Sequence, residues 1–504
     1  MKKYYITTAI PYVNAQPHIG HAFEFVQADV LKRFVQMHSN QEVVLLSGSD
    51  ENSLKNVQAA QKAGKETNVF VDEHAQFFKD TLKALSIDVD VFQKGSDQAT
   101  HIPSSQKLWE LCAAHGDIYK KSYEGLYCVG CEAFYTADEL NEAGECFEHP
   151  GKELEKIKEE NYFFKLSAYQ DQLIKIISSG ELEIIPQERK NEVLSFLSQP
   201  LQDISISRSN ERAQNWGVPV PGDASQKMYV WFDALNIYQS GIGFGTDEKQ
   251  YETTWPADVH VIGKGILRFH AIYWPAFLLS AGLQLPKKLF VHGYITVDGQ
   301  KMSKSIGNVI NPNDLLQKYS TDALRYYFMR EIPATGDGDF SEKRFVDIYN
   351  AHLAGGVGNL LARVTAMHDK YSGLEVTLSE YEDPFDVNKF WKTYDEYGNK
   401  FELDAMLRHT FTLVDAANKY IDDTKPWEKA KTDVSGAVLN LTQLLEAIRH
   451  IALALYPYMP STSRKIMQAL GKELDKNFAW GGVTKGDTIT KGVILFPRIE
   501  INKE

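Results

Sequence analysis

The N-terminal part of the chain alternates between short apolar runs and segments with helical periodicity. Tyr4–Ile10 is rich in aromatic and β-branched residues, which predicts a strand, and His21–Met37 repeats its apolar residues with the period of a helix. Val43–Leu46 predicts a second, buried strand, and Leu54–Ala63 predicts a helix that ends near Gly64. Strands that alternate with helices predict a parallel sheet with ligands at its carboxyl edge.

This alternation breaks in the middle of the chain and then resumes. Residues 115–160 contain three cysteines, Gly-rich turns and a charged run, which favours an insertion into the sheet domain. Val259–Gly263 and Leu289–Ile295 predict later strands, separated by a helix over Phe269–Ala281. The sheet is therefore predicted to be completed by residues on both sides of the insertion.

The C-terminal third has helical periodicity almost throughout. Helices are predicted at Phe345–Lys370, Val387–Asp422, Ala437–Leu455 and Ser461–Leu470, and a short strand at Gly492–Ile499 is predicted to close the chain. The predicted fold class is thus an α/β domain with a parallel sheet, interrupted by an insertion and followed by an α-helical domain.

Composition excludes several classes of protein. The 504 residues are 43% hydrophobic and 24% charged, which is ordinary for a folded protein and unlike a disordered chain. No uncharged apolar run is long enough to predict a membrane span, and Pro11 interrupts the apolar run that follows the N-terminal lysines, unlike a signal peptide. We therefore expect a cytoplasmic protein, in which cysteines serve as metal ligands or thiols more often than as disulfides.

Four residues of the insertion have the spacing of a zinc knuckle. Cys128 and Cys131 are separated by two residues, as are Cys146 and His149, and fourteen residues lie between the two pairs. Three thiolates and one imidazole complete a tetrahedral site for a structural Zn²⁺, one per chain. Disulfides are the alternative, and Cys112 is interpreted as a buried helix residue.

The chain has no P-loop and no clean G-x-G-x-x-G after its first strand, so a nucleotide site must be built in another way. The first strand-to-helix turn reads Pro17-His18-Ile19-Gly20-His21. Free N–H groups and the dipole of a helix N-terminus favour phosphate, and Gly20 would let a base or ribose approach the backbone. A cap or surface role for the two histidines is the alternative.

A second polar loop follows the predicted strand Leu289–Ile295. It reads Lys301-Met302-Ser303-Lys304-Ser305. Two lysines in a loop are commonly a solvated surface, but a loop at the carboxyl edge of a sheet could also place its ammonium groups over a triphosphate. Such cations stabilise the charge that develops during in-line attack at phosphorus.

Together, these two motifs resemble the HIGH and KMSKS sequences of the class I aminoacyl-tRNA synthetases. Ala9–Tyr12, Tyr229–Ala234 and Gly263–His270 are further similar to methionyl-tRNA synthetases, and the similarity runs from about residue 4 to residue 499. The resemblance implies a Rossmann catalytic domain in two halves (1–114 and 226–295), a connective insertion with a zinc knuckle (115–225), a KMSKS loop and stem-contact region (296–345) and a helical anticodon-binding domain (346–504).

The activity implied by the resemblance is ATP-dependent ligation of L-methionine to its tRNA through methionyl-adenylate. His18, His21, Lys301 and Lys304 would contact the phosphates and the transition state, Gly20 would complete the ATP site, and Mg²⁺ would enter with ATP. The amino-acid carboxylate would attack the α-phosphate, so positioning and charge stabilisation would carry the catalysis.

The methionine side chain calls for a pocket of uncharged, polarizable groups, because a thioether has no charge to pair. The resemblance implies that Asp50 binds the α-ammonium group and that the pocket is lined by Ile10, Tyr12, Trp231, Ala234, Leu235, Tyr238 and His270. Ordinary core packing is the alternative for any one of the aromatic residues.

Two positions depart from the family pattern. Asn52-Ser53 replaces the usual His-Gly after Asp50-Glu51, and Gly265 replaces an Asp that is implicated in nucleotide contacts. Ribose binding is therefore expected to rely more on backbone groups in this chain.

The resemblance also implies an anticodon site made of Asn359, Arg363 and Trp427. Stacking on an indole and polar contacts to unstacked base edges suit single-stranded RNA. Packing at a helix end is the alternative for Trp427. We expect a monomer that acts on initiator and elongator methionine tRNAs. The alternative functions are a synthetase for cysteine or leucine and a non-catalytic tRNA-binding zinc protein.

Overall fold

The structure is a computed structural model that describes residues 2–128, 133–135, 140–146, 151–303, 306–371, 377–378, 381–484 and 487–500. The chain divides into two compact units. The first contains residues 1–28 and 41–292, and the second contains residues 29–40 and 293–504.

The first unit contains thirteen strands in its described residues. They are β1 (Tyr4–Thr7), β2 (Val43–Ser49), β3 (Val91–Lys94), β4 (Ile118–Cys128), β5 (Ala133–Tyr135), β6 (Glu155–Phe164), β7 (Glu183–Ile185), β8 (Ile204–Ser205), β9 (Ser207–Ser209), β10 (Pro219–Val220), β11 (Asp223–Met228), β12 (Val259–Gly263) and β13 (Lys288–His292).

The α-helices of this unit lie between those strands. They are the first part of α1 (Ile19–His38), α2 (Leu54–Lys62), α3 (Thr67–Ala84), α4 (His101–Ala114), α5 (Gln170–Ser179), α6 (Gln187–Leu197), α7 (Val230–Ala234), α8 (Ile237–Ser240), α9 (Glu248–Thr254) and α10 (Trp274–Ser280). A π-helical segment, Phe269–Tyr273, leads directly into α10.

The main sheet is parallel and has the strand order β3-β2-β1-β12-β13-β7. Every residue of β2 is buried, as its run of Val and Leu predicts for a central strand. Gly48 is required there, because a Cβ would lie 2.3 Å from the carbonyl oxygen of Gln93 on β3. The strand order reverses at β1, and the crevice outside the carboxyl ends of β1 and β12 is where such sheets bind ligands.

The predicted insertion forms two antiparallel sheets in its described residues. One has the order β5-β4-β6-β8 and the other the order β10-β11-β9. Strand β7, which also comes from the predicted insertion, instead extends the main sheet by pairing with β13. The insertion therefore contributes to the edge of the parallel sheet.

The second unit is mainly helical. Besides the end of α1 it contains β14 (Ile295–Val297), β15 (Gln300–Lys301), α11 (Pro312–Lys318), α12 (Thr321–Glu331), β16 (Gly338–Phe340), α13 (Glu342–Ile348), a π-helical segment Tyr349–Gly358, α14 (Asn359–Asp369), α15 (Val387–Asn399), α16 (Leu403–Thr424), α17 (Pro426–Lys429), α18 (Val434–Leu455) and α19 (Pro460–Ala469). The parallel-sheet domain and the helical domain predicted from the sequence are confirmed. The five-part division of the chain stays a prediction.

The strand predicted at Leu289–Ile295 is wrong as a single element. Strand β13 ends at His292, and β14 belongs to a separate three-stranded sheet with the order β15-β14-β16. Gly293 marks the change, because a Cβ at this residue would lie 2.3 Å from the backbone of Gly336. The close approach of these two backbone segments ends the first strand.

Two predictions in the helical domain are also corrected. Val387–Asp422 is two helices, α15 and α16, because the backbone turns at Phe401, whose φ of 63° is left-handed. Gly492–Ile499 forms no strand in the described residues. Its backbone is held by side chains instead, since Tyr349 Oη donates to the Pro497 carbonyl and the Asn350 amide exchanges two hydrogen bonds with Ile499.

Helix α18 is the most buried element of the second unit. Among the helices that the structure describes, it alone has the length and apolar composition that a membrane span requires. However, 94% of its most apolar 18-residue window is buried inside the protein. Burial of this kind is typical of a core helix.

A charged cluster on α18 holds the C-terminal segment. The carboxylate of Glu446 accepts hydrogen bonds from Arg449 and from the backbone N–H groups of Gly481, Gly482 and Val483, at 2.6–3.0 Å for the three backbone donors. Burial disfavours the charged carboxylate, but hydrogen bonds from His450 and Arg449 outweigh burial and lower the pKa of Glu446 to about 2. The ionised carboxylate therefore stabilises this unit.

We predict that Glu446→Gln lowers the free energy of unfolding by about 3 kcal/mol at pH 7, since it leaves a buried arginine without its partner. A carboxylate whose pKa is lower in the folded state stabilises the protein above its unfolded pKa, and this stabilisation is lost as the pH falls towards the folded pKa. The difference between wild type and variant should therefore shrink between about pH 4.5 and pH 2. Denaturant unfolding at several pH values measures it.

The matched control is Glu428→Gln on α17, because the Glu428 side chain is exposed. This variant should unfold like wild type at every pH. A Glu446→Gln difference that stays constant with pH would contradict the stabilising role of the charge.

Candidate active site

The predicted ammonium-binding residue, Asp50, lies at the carboxyl edge of the main sheet. It follows β2 directly, is almost fully buried, and forms an isolated parallel bridge with Tyr12. The Asp50 N–H donates to the carbonyl of Pro11 at 2.9 Å, so the segments that leave β1 and β2 are tied together beyond the strand ends. This pairing brings two predicted site residues side by side at the switch point of the sheet.

Aromatic rings surround the Trp231 side chain. The Trp231 and Phe269 rings stack with 3.7 Å between their centroids, and the rings of Tyr12 and His270 both lie 6.4 Å away in edge-on orientations. The Trp231 indole N–H is buried and has no hydrogen-bond acceptor within the described residues. The result is an apolar wall with one donor available.

A hydrogen bond between Tyr238 and His270 fixes which atoms of the two side chains carry protons. The distance from Tyr238 Oη to His270 Nε2 is 2.7 Å, and His270 Nδ1 lies 2.9 Å from the Ile266 carbonyl. A carbonyl only accepts, so Nδ1 carries the proton and Tyr238 donates to Nε2. Burial lowers the pKa of His270 to about 4, which keeps the imidazole neutral at physiological pH.

The remaining predicted pocket residues pack around these rings. Ala234 belongs to a small apolar cluster with Tyr229 and Val230, against which Tyr12 and Trp231 pack. Leu235 is buried in the main core of the unit, and Ile10 packs against that core. All eight predicted methionine-pocket residues therefore lie in the first unit, and most are linked by direct ring or backbone contacts.

The two predicted phosphate-binding histidines lie at the start of α1. Their rings stack with centroids 3.8 Å apart, and His18 Nδ1 accepts a hydrogen bond from the Gly20 N–H at 3.1 Å. Burial, with His18 and His292 nearby, lowers the pKa of His21 well below its usual value. A neutral His21 imidazole at a helix N-terminus can donate its N–H group to a phosphate.

Sequence reasoning missed a buried acid next to this turn. Glu24 Oε1 accepts the Ala9 N–H at 2.8 Å, and Glu24 Oε2 lies 2.9 Å from His292 Nε2. Glu24 thereby links α1 to the ends of β1 and β13. A signal existed, because Glu24 shares its helix face with the apolar residues Leu31 and Val35.

The second predicted phosphate loop belongs to the second unit. Lys301 is exposed at the end of β15, which forms a hairpin with β14 through Asp298 and Gly299, both with positive φ. Asn308 bridges the loop, since it accepts from the Ser303 N–H at 2.8 Å and donates to the Lys301 carbonyl at 3.1 Å. Lys304 lies outside the described residues.

Comparisons with known proteins cover nearly the whole chain. The family model "tRNA synthetases class I (M)" matches residues 4–365. Methionine–tRNA ligases of Clostridium acetobutylicum and Thermotoga maritima are each 40% identical, over 100% and 99% of this chain and 79% and 80% of their own lengths. The chain belongs to the methionyl-tRNA synthetases of class I. This membership favours methionine over the cysteine and leucine rivals.

Solved structures of this family agree. A Mycobacterium tuberculosis methionyl-tRNA synthetase in complex with methionyl-adenylate aligns with a TM-score of 0.92 and 36% identity, over 99% of this chain and 100% of the other. The apo form of the Mycobacterium tuberculosis enzyme aligns with a TM-score of 0.86 and 33% identity.

The anticodon-binding domain of methionyl tRNA ligase matches residues 377–502. Of the residues predicted to read the anticodon, Asn359 is exposed at the start of α14, and Arg363 lies 3.4 Å from Asp422 near the end of α16. Trp427 follows on α17 and is 42% exposed. Both the anticodon role of Trp427 and its alternative, packing at a helix end, stay predictions.

Two of the four predicted zinc ligands lie in the described residues of this synthetase. Cys128 ends β4 and Cys146 follows a turn, and both are fully buried. Cys131 and His149 lie outside the described residues. No group of three metal-binding side chains occurs among the residues that the structure describes. Cys112 is buried in α4, as predicted, and burial raises the pKa of its thiol to about 12.

Ser53 and Gly265 are two of the residues expected from the sequence to depart from the family pattern. Ser53 is the N-cap of α2 and accepts a hydrogen bond from the Lys55 N–H, which is a favourable role for serine. Gly265 is exposed in the 3₁₀ turn Lys264–Ile266.

Proposed function

We propose that this synthetase catalyses the ATP-dependent ligation of L-methionine to its tRNA through methionyl-adenylate, with release of pyrophosphate and AMP. The observation that carries the proposal is the similarity over the whole chain to enzymes of this activity, one of them solved with the adenylate. The neutral aromatic pocket beside a buried carboxylate supports the same substrate.

In this proposal Asp50 binds the α-ammonium group of methionine. The side chain lies among Ile10, Tyr12, Trp231, Ala234, Leu235, Tyr238 and His270. Because Tyr238 and His270 are both uncharged, the pocket offers no partner for a charged side chain. To a thioether it offers dispersion from the aromatic rings and one weak donor, the indole N–H of Trp231. Selection against charged amino acids then follows from the cost of burying an unpaired charge.

ATP is proposed to bind at the turn formed by His18, Gly20 and His21, with Mg²⁺ arriving as part of the Mg·ATP substrate. The methionine carboxylate attacks the α-phosphate and pyrophosphate leaves. Imidazole N–H groups at the helix start and the ammonium groups of Lys301 and Lys304 stabilise the charge on the phosphate oxygens. The terminal ribose of the tRNA then takes the acyl group from the adenylate.

A structural zinc ion is proposed for Cys128, Cys131, Cys146 and His149. The chemistry of three thiolates and one imidazole suits Zn²⁺, and burial of Cys128 and Cys146 suits ligands shielded from solvent. With four protein ligands the ion would hold the insertion together and would take no part in the reaction.

Recognition of the anticodon is proposed for Asn359, Arg363 and Trp427. The exposed indole would stack on an unpaired base, and the two polar side chains would contact base edges. We further propose that the enzyme is a cytoplasmic monomer and that it acts on both initiator and elongator methionine tRNAs. The division of the chain into five parts is also part of this proposal.

We predict that Lys304→Ala lowers methionine-dependent pyrophosphate exchange at least about a hundredfold, the scale for removal of one preorganised transition-state donor. Thermal stability should barely change. The matched control is Lys318→Ala, an exposed lysine on α11. Exchange near the wild-type rate in Lys304→Ala would overturn the role of this loop.

One zinc ion per chain is expected by elemental analysis, and Cys128→Ser should lower the zinc content and destabilise the insertion, because a structural site couples binding to folding. Cys112→Ser is the control, since this thiol donates to the Phe277 carbonyl in the core and lies outside the proposed ligand set. Metal-free wild-type protein, or a disulfide between two of the proposed ligands, would show the zinc proposal to be wrong.

Trp427→Ala should separate the two half-reactions. Base stacking on an aromatic ring contributes on the order of 1–3 kcal/mol, so tRNA aminoacylation efficiency should fall roughly tenfold or more, while exchange without tRNA stays close to wild type. Asn359→Ala should show the same split. Tyr381→Ala, which removes a similarly exposed aromatic ring of the same unit, should leave both reactions unchanged. A joint fall in exchange and melting temperature in Trp427→Ala would instead indicate a packing role.

A further inference from the structure

Asn52 directly follows the Asp50-Glu51 pair at the carboxyl edge of the main sheet. Its side-chain nitrogen lies 2.7 Å from the Gly95 carbonyl oxygen and 2.6 Å from Asp233 Oδ2. A carbonyl only accepts hydrogen bonds, so the NH₂ group and not the amide oxygen faces these two atoms. Both hydrogens of the amide are therefore used, and its orientation is fixed.

The two acceptors belong to different parts of the first unit. Gly95 follows β3, and its N–H donates to the Ser49 carbonyl at 2.9 Å, which holds the ends of β2 and β3 together. Asp233 lies on α7, between Trp231 and Ala234 of the proposed methionine pocket. The Asn52 amide thus connects a sheet edge to the helix that forms the pocket wall.

Asp233 has few polar partners in the described residues. Its side chain is buried, and its other oxygen, Oδ1, has no hydrogen-bond partner within the described residues. The next polar group, His101 Nε2, is 3.9 Å from Oδ2, which is longer than a hydrogen bond. Burial raises the pKa of Asp233, and His101 and Asn52 both act against burial. Asn52 is the closer of these two side-chain partners and the one at hydrogen-bond distance, so it helps to fix the rotamer of Asp233 and, with it, the position of α7.

Asn52 also contacts the proposed ammonium-binding group. Its backbone N–H lies 3.3 Å from Asp50 Oδ1. One residue therefore contacts the carboxylate at one end of the substrate site and the helix at the other end. A substrate held at two points binds well only when the distance between those points is correct.

We propose that Asn52 is a positioning residue for methionine: it fixes the placement of Asp50 relative to the pocket wall formed by Trp231 and Ala234. This inference rests on the proposed function, since it takes Asp50 as the partner of the α-ammonium group. Asn52 itself does not touch the substrate, and its effect passes through Asp50 and Asp233.

Asn52→Asp tests this most sharply, because the change is nearly isosteric and turns an oxygen towards two acceptors. In the intact chain the KM for methionine in pyrophosphate exchange should rise about tenfold or more, the scale of one lost hydrogen bond to a buried group. The KM for ATP and the kcat at saturating methionine should stay within about twofold of wild type, as positioning of one substrate requires.

The matched control is Asn210→Asp. The Asn210 amide also donates to a backbone carbonyl, that of Ala224, at 2.7 Å, but it contacts none of the proposed substrate residues. Its KM for methionine should equal that of wild type. Asn52→Ala removes the donor without adding repulsion and should raise the same KM by a smaller factor, so the proposal stays testable if Asn52→Asp does not fold.

Asp50→Asn separates failure of this inference from failure of the proposed function. If Asp50→Asn impairs methionine binding while both Asn52 variants keep the wild-type KM, the positioning role is overturned and the proposed function stands. Equal losses in kcat, both KM values and melting temperature in the Asn52 variants would also overturn it, because they indicate a folding role. An unchanged KM for methionine in Asp50→Asn would overturn the proposed ammonium site itself.

Discussion

The parallel pairing of β1 with β2 on one side and with β12 on the other is the constraint on which the site depends. It fixes the register of three strands, so that the segments leaving their carboxyl ends emerge at one edge of the sheet. Tyr12 pairs with Asp50 beyond the last strand residues, and Thr7 Oγ1 lies 2.6 Å from His260 Nδ1 across the β1–β12 pair. Groups far apart in the sequence therefore meet without any loop having to be long or flexible.

The chemistry of the pocket follows from burial at this edge. Buried imidazoles lose their charge, and the pKa values of His260 and His270 are both lowered by burial. Burial also raises the pKa of Tyr238, so its hydroxyl stays protonated. In the proposed function this uncharged set of rings binds the apolar, polarizable side chain of methionine, and the buried carboxyl of Asp50 binds its α-ammonium group.

Hydrophobic and polar patterns within a short segment predicted those elements whose bounds depend mainly on neighbouring residues. Val259–Gly263 is a short β-branched run between polar residues, and it is a strand with those bounds. The bounds of β7 depend instead on pairing with Lys288–Phe290, about a hundred residues later, and nothing in its three residues indicates that pairing. The closing strand fails for a similar reason, since Asn350 satisfies the backbone of Ile499. The end of β13 is decided by a close approach between Gly293 and Gly336.

In the candidate site, too, short sequence motifs were predictable and contacts between distant parts of the chain were not. Motifs identified the histidine turn and the aromatic pocket, but Glu24 and His292 were missed, because their contact joins a helix to a strand 268 residues away. The link between Asn52 and Asp233 likewise exists only in the folded chain.

The central claim is that this chain activates methionine, and pyrophosphate exchange tested with each of the twenty amino acids measures it most directly. The account predicts ATP–pyrophosphate exchange that depends on methionine and is far weaker with every other amino acid. Exchange supported equally well by cysteine or leucine, or by none of the twenty, would contradict it.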